Sequence, residues 1–133
     1  MSKPTVVIAE DDFAIREGCL SLTLEPDFEI VAAVDDGKAA VAAVEEHKPD
    51  VVLLDVSLPV MRGFDAARKI LSSHPDIKVL FVSNYADKAY LDEAMRIGAS
   101  GYVLKSRAFS ELVPAIKTAL SGRFYSGLSL VQN

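Results

Sequence analysis

The sequence has no tryptophan, a single cysteine and fewer basic than acidic residues. With Cys19 alone, no internal disulfide can form, and nothing points to an oxidising compartment. Lys and Arg total 14 against 19 Asp and Glu, giving a net charge of −5. That balance is a poor footprint for gripping nucleic-acid phosphates, so no direct nucleic-acid contact is expected of this domain. No apolar run approaches the ~20 residues that cross a bilayer. The start, "MSKPTVVIAEDD", lacks the apolar core of a signal peptide. These absences lead to the expectation of a soluble cytoplasmic protein with no membrane partner. What is present suffices for one domain: 133 residues, half of them hydrophobic, can bury one sizeable core.

Short apolar runs alternate along the chain with segments of helical spacing. The runs are "TVVIA" (5–9), "FEIVAAV" (28–34), "DVVLLD" (50–55), "IKVLFVS" (77–83) and "GYVLK" (101–105). They are rich in Val, Ile and Leu and mostly lack strict alternation, the habit of strands buried on both faces of a parallel sheet. Between them, 13–25 carries Ile15, Cys19 and Leu22 on one face, and 37–47 is rich in Ala and Val. The spacing predicts further helices over 64–73, 86–97 and 109–121, with Gly98 and Gly122 as stops. Pro114 falls beyond the first turn of the last of these and predicts a bend or a loose start. Five strands alternating with five helices predict an α/β fold whose parallel sheet is covered on both faces. Residues 123–133 read as a tail or the start of a linker.

In such a sheet, ligands bind outside the carboxyl ends of the strands. Strand 1 ends in Glu10-Asp11-Asp12, strand 3 in Asp55, strand 4 in Ser83 and strand 5 in Lys105. Singly, each has an ordinary explanation. An Asp after a strand usually caps a helix or forms a turn, and a Ser or Lys there is commonly solvated. His47 and His74, near helix ends, receive no role. Together the set is chemically coherent. Glu10, Asp11 and Asp55 are all-oxygen ligands suited to Mg²⁺, or Mn²⁺ in its place. Such a cation would offset the repulsion among the carboxylates and admit an anion. Lys105 would add positive charge and Ser83 a hydrogen bond. This suits phosphoryl transfer, with Asp55 as the nucleophile.

The segments "VVIAEDDFAIR", "KPDVVLLDVSLPVMRGFD", "VLFVSNYAD" and "GASGYVLK" occur in this order over residues 4–122. On them, the chain resembles the response-regulator receiver domains of two-component signalling. The resemblance implies a receiver domain over 1–122 and a flavodoxin-like, doubly wound (βα)5 fold with strand order 2-1-3-4-5. It implies that Asp55 accepts a phosphoryl group from a phosphohistidine on a sensor histidine kinase. Mg²⁺ would be held by Asp11, Asp55 and the backbone carbonyl of Ser57, with Glu10 acting through water. Members often carry an Arg five residues after the second metal-site acid. Here that is Arg16, so the pair is Glu10 and Asp11, and Asp12 is left to start the first helix. Lys105 would pair with the phosphoryl group, Ser83 would move to it, and Tyr102 would swing inward as a switch aromatic. Leu58-Pro59 and Gly63 match the loop after the phosphorylation site. The readout face would be helix 4, strand 5 and helix 5.

Three departures from the family pattern stand out. Asn84 replaces a usual Ala or Gly and narrows access. Ser106 replaces a usual Pro, leaving the Lys105–Ser106 peptide isomer open. Ser57 and Tyr85 occupy positions that tune how long the phosphoryl group survives, predicting a changed lifetime without fixing its direction. "GYVLKS" and "SGRFYS" resemble receivers that precede a LuxR-type helix-turn-helix domain. A C-terminal DNA-binding output domain in a parent protein and homodimerisation on phosphorylation follow as expectations. The role expected is a regulatory phosphoacceptor in transcription regulation, with at most slow self-dephosphorylation, rather than an enzyme. A haloacid-dehalogenase-type phosphatase would need a second Asp where Ser57 stands, and a flavodoxin-like carrier would need a neutral phosphate loop where Glu10-Asp11-Asp12 stands. A degenerate receiver acting as an unphosphorylated interaction module is the remaining alternative.

Overall fold

The apolar runs become strands because helix layers cover both of their faces, except the run over 29–34, which the sequence places among the doubly buried strands but which lies at the sheet edge and is only partly covered. A computed structural model of the chain describes residues 2–128. The strands are β1 (Thr5–Ala9), β2 (Glu29–Val34), β3 (Val51–Asp55), β4 (Lys78–Ser83), β5 (Gly101–Leu104) and β6 (Tyr125–Ser126). All pairings are parallel, in the order β2-β1-β3-β4-β5-β6. The sheet is thus the expected five-stranded flavodoxin-like one, with a two-residue sixth strand added at its edge.

Successive residues of one strand serve opposite layers. Val52 and Leu54 pack with Val7, Ala40, Ala66 and Ile70. Val51 and Leu53 pack with Ile8, Leu20, Leu112 and Ile116. All four β3 residues are essentially solvent-free, each burial worth about 1.5–3 kcal/mol. A central strand with a core on both sides needs no polar alternation, which is why the sequence shows none.

Five helical segments provide the layers. The first, α1, runs from Phe13 to Leu24: α-helical at Phe13–Ile15 and Leu22–Leu24, with a π-helical stretch at Arg16–Ser21 between them. The others are α2 (Gly37–His47), α3 (Gly63–Ser73), α4 (Lys88–Ile97) and α5 (Ala108–Leu120). Pro114 lies within α5 beyond its first turn, as the spacing predicts, and the helix runs on past it to Leu120. The departure from α-helical geometry comes ahead of it, as a 3₁₀ turn at Lys105–Arg107. The α4 helix begins two residues later than the spacing predicts, leaving 84–87 as a loop. Lys105–Ser106 is a trans peptide, as are all peptides among the described residues. Residues 129–133 of the predicted tail lie outside the described residues.

Because α1 and α3 lie on opposite faces, the chain leaves β1 and β3 in opposite directions from the sheet. This opens a crevice at their carboxyl ends, the usual ligand position in this architecture. The two histidines stand elsewhere: His74 Nε2 is 2.8 Å from Glu45 Oε2, and this hydrogen bond holds the Glu45 carboxyl below its ordinary value.

Candidate functional site

Where β1, β3 and β5 end, they deliver three carboxylates and an ammonium to one cleft of about 250 Å³. Glu10 and Asp55 are buried, at 1 % and 5 % exposure, while Asp11 is exposed at the rim. Lys105 Nζ sits between the buried pair, 2.8 Å from Asp55 Oδ2 and 2.8 Å from Glu10 Oε1. One cation against two buried carboxylates leaves the centre short of positive charge. Burial pushes the Glu10 carboxyl above its ordinary value, and the neighbouring Asp55 charge adds to this, against Lys105 and the Asp12 amide. Burial also opposes the charge on Lys105, but Asp55 and Glu10 outweigh it and hold the ammonium above its ordinary value.

The acidic run divides cleanly in the structure. Asp12 is the N-cap of α1, its side chain accepting from Ile15 N–H at 3.1 Å. Its own N–H donates to Glu10 Oε2 at 3.1 Å. Asp11 faces the cleft with Glu10 and Asp55: one carboxylate oxygen from each lies within 4.8 Å of the others. Glu10 Oε1 is buried and has no hydrogen-bond partner of sound geometry among the described residues. Three carboxylate oxygens gathered this closely fit a hard divalent cation such as Mg²⁺.

The site is held from behind by contacts that the sequence reading did not anticipate. Arg16 Nη1 donates to the Glu10 backbone carbonyl at 2.7 Å, tying down the turn that carries Asp11. Arg16 enters the sequence reading only as a register marker; its spacing from Asp11 was the signal available. On the β3 side, Gly63 approaches so closely that a Cβ there would stand 2.1 Å from the Asp55 carbonyl. Any other residue would push the loop after Asp55 off the strand. Within that loop Val60 has a φ of 68°, an unusual conformation for a β-branched residue.

Of the other predicted residues, Ser57, Asn84 and Tyr85 line the cleft. Ser57 N–H donates to Asp55 Oδ1 at 3.1 Å, and the Ser57 and Tyr85 hydroxyls are 3.5 Å apart across the opening. Ser83 and Tyr102 do not line it; both are fully buried behind its wall. They are joined to it through Tyr85, whose N–H donates to Ser83 Oγ at 3.0 Å and whose carbonyl accepts from the Tyr102 hydroxyl at 2.7 Å. Burial pushes the Tyr102 phenol up to about 12, so it stays a donor at neutral pH.

Residues 6–117 match the response regulator receiver domain. The chain belongs to this receiver family. It is 39% identical over 125 residues to the transcriptional regulatory protein DegU of Brevibacillus brevis, covering 93% of this chain and 53% of that protein. To the oxygen regulatory protein NreC of Staphylococcus haemolyticus it is 39% identical over 127 residues, covering 94% and 58%. This receiver therefore spans about half the length of the curated relatives it matches. Among solved structures it resembles a LuxR-family two-component response regulator from Aurantimonas sp. SI85-9A1, with a TM-score of 0.90 at 32% identity, covering 98% of this chain and 94% of that one. A LuxR-family DNA-binding response regulator from Staphylococcus aureus matches with a TM-score of 0.81 at 36% identity, covering 88% and 98%. No helix among the described residues of this receiver is long and apolar enough to cross a membrane.

Proposed function

We propose that this receiver is a phosphorylation-dependent switch in which Asp55 is the phosphoacceptor. The observation that carries the reading is the centre itself: buried Asp55 is paired to Lys105 at 2.8 Å and gathered with Glu10 and Asp11. The donor is a phosphohistidine on a sensor histidine kinase. An Asp55 carboxylate oxygen attacks phosphorus, the P–N bond breaks, and its electron pair leaves with the imidazole. The products are an acyl phosphate on Asp55 and a free histidine on the kinase. Glu10, Asp11, Asp55 and the Ser57 carbonyl are the groups that would hold Mg²⁺, with Glu10 acting through water. When bound, the ion supplies positive charge that lets an anionic donor approach three carboxylates. Lys105, already in place, meets the charge on the transferred group.

The acyl phosphate adds about −1.5 to −2 charge and strong acceptor oxygens. Ser83 turns its hydroxyl toward them and so releases the Tyr85 N–H that it accepts in this structure. The loop after β4 follows, and Tyr102, hydrogen-bonded to that loop, is held inward. The α4-β5-α5 face is then biased between two states. In the parent protein, residues from 123 onward lead to a C-terminal DNA-binding output domain, and the shifted face supports homodimerisation. Such a regulator of transcription works in the cytoplasm and turns over no external substrate. The complete set of acids, Ser83 and Lys105 favours this over the unphosphorylated module.

Borohydride reduces an acyl phosphate to the alcohol. After treatment with acetyl phosphate and Mg²⁺, peptide mapping is expected to find Asp55, and no other residue, converted to homoserine. Conversion at another carboxylate, or none, overturns the assignment. Ser57 and Tyr85 narrow the approach of water, so Ser57→Ala with Tyr85→Ala is expected to speed phosphate loss, followed by the decay of the adduct. An unchanged rate contradicts their role as lifetime-tuning residues, a role that Asn84 shares by its place at the same opening.

A further inference from the structure

Tyr102 is fully buried although β5 stands next to the edge of the sheet. What closes that edge is the segment after α5. Side chains of β5 alternate: Tyr102 and Leu104 join the layer of Leu91 and Ala94, while Val103 joins the opposite one. Phe124 and Leu128 pack into the Tyr102 layer, with Leu128 only 1 % exposed. Tyr125 packs on the other side, where its hydroxyl donates to Glu111 Oε1 at 3.0 Å.

The backbone is fitted at the same place. Tyr125 N–H donates to the Ser100 carbonyl at 3.0 Å, and Gly127 N–H donates to the Tyr102 carbonyl at 2.7 Å. A Cβ at Gly127 would stand 2.6 Å from that carbonyl oxygen and 3.2 Å from Val103 Cα. Only glycine allows the approach. Tyr102 is therefore held on two sides: its hydroxyl by Tyr85 in the loop after β4, and its backbone by Gly127.

We infer that residues 124–128 form a latch over Tyr102, and that latch docking and phosphorylation at Asp55 strengthen one another. The inference rests on the phosphoacceptor reading above. An outward Tyr102 would withdraw its ring from the apolar layer in which Leu128 is buried and against which half-buried Phe124 packs. The latch thus has different contacts to gain in the two Tyr102 states, which is what coupling requires. Through Tyr85 and Ser83 the same two states are biased by the acyl phosphate. By linkage, the coupling acts with equal size in both directions.

The test is hydrogen exchange of 124–128 in the full chain, with Mg²⁺ and with or without the phosphoryl mimic beryllofluoride. Fluorine NMR on the same sample reports whether the mimic is bound. Exchange at these amides is expected to slow about fivefold or more in the bound state, the lower end of ordinary allosteric coupling. Reciprocally, Gly127→Ala and the milder Leu128→Ala are expected to weaken beryllofluoride binding by a similar factor. Bound mimic with unchanged exchange, or unchanged affinity in a folded Leu128→Ala, overturns the latch and leaves the phosphoacceptor reading standing. Failure of the mimic to bind overturns that reading, and the latch with it.

Discussion

Glu10 and Asp55 share one ammonium in a site that little water enters, so the cost of their charges falls unevenly. Burial raises the Glu10 carboxyl above its usual 4.5. The folded state therefore favours protonated Glu10. The stability this contributes is complete below the unfolded value and is lost as pH rises through the higher folded one. In metal-free protein, the stability of wild type relative to Glu10→Gln is expected to fall across that window, measured by urea unfolding at a series of pH values. A difference independent of pH contradicts the burial argument. The neighbouring acids separate by function. Asp11→Asn is expected to weaken Mg²⁺ binding, read by calorimetry, far more than Asp12→Asn does. Asp12→Ala is expected to cost about 1 kcal/mol of stability through the lost cap. Equal Mg²⁺ losses from the Asp11 and Asp12 substitutions would mean that the run acts as one block of charge. At this scale the sequence was informative because the acids, Ser83 and Lys105 each follow an apolar run. It could not show that Arg16 reaches back to the Glu10 carbonyl, because that depends on how α1 turns.

The α1 helix is where local geometry departs most from simple periodicity. Its π-helical stretch, Arg16–Ser21, lies directly behind the acidic turn, and Ser21 Oγ donates to the Arg16 carbonyl at 2.8 Å. Ser21 is buried at 5 % exposure, so the hydroxyl cannot trade this partner for bulk water. Ser21→Ala is expected to lower stability by about 1 kcal/mol, read as a shifted denaturation midpoint; no shift means the bond does nothing for the π stretch. Apolar spacing places α1 correctly through Ile15 and Cys19, but Leu22, expected on the same face, is exposed and Leu24 is buried instead, and the spacing carries no sign of the wider turn. The β6 strand was illegible for another reason. Two residues have no period, and Tyr125–Ser126 pair with β5 where Gly127 lets its backbone approach the Tyr102 carbonyl, a condition set in three dimensions. Pro114 shows the converse. Its effect on the α5 backbone is real in principle, yet burial of Leu112, Ala115, Ile116 and Ala119 carries the helix through it.

For the molecule as a whole, the proposed function is a change in the balance of two conformations, and the fold supplies the parts that would make such a change discrete. The strand ends hold Asp55 and Lys105 2.8 Å apart, while Ser83, Tyr85 and Tyr102 form a chain of hydrogen bonds that, on the reading proposed above, rearranges between the two states. A partner reads the switch only to the extent that it prefers one arrangement. The architecture was legible because alternating apolar and helical segments admit few folds, whereas the connection from Ser83 to Tyr102 runs through backbone atoms of Tyr85 that no motif specifies. The account depends first on Asp55 being the group that changes. Intact mass after incubation with acetyl phosphate and Mg²⁺ tests this most directly. The result expected is a single phosphate adduct on the wild type and none on Asp55→Asn. An adduct that survives Asp55→Asn, or no adduct on wild-type protein shown to bind Mg²⁺, would contradict it.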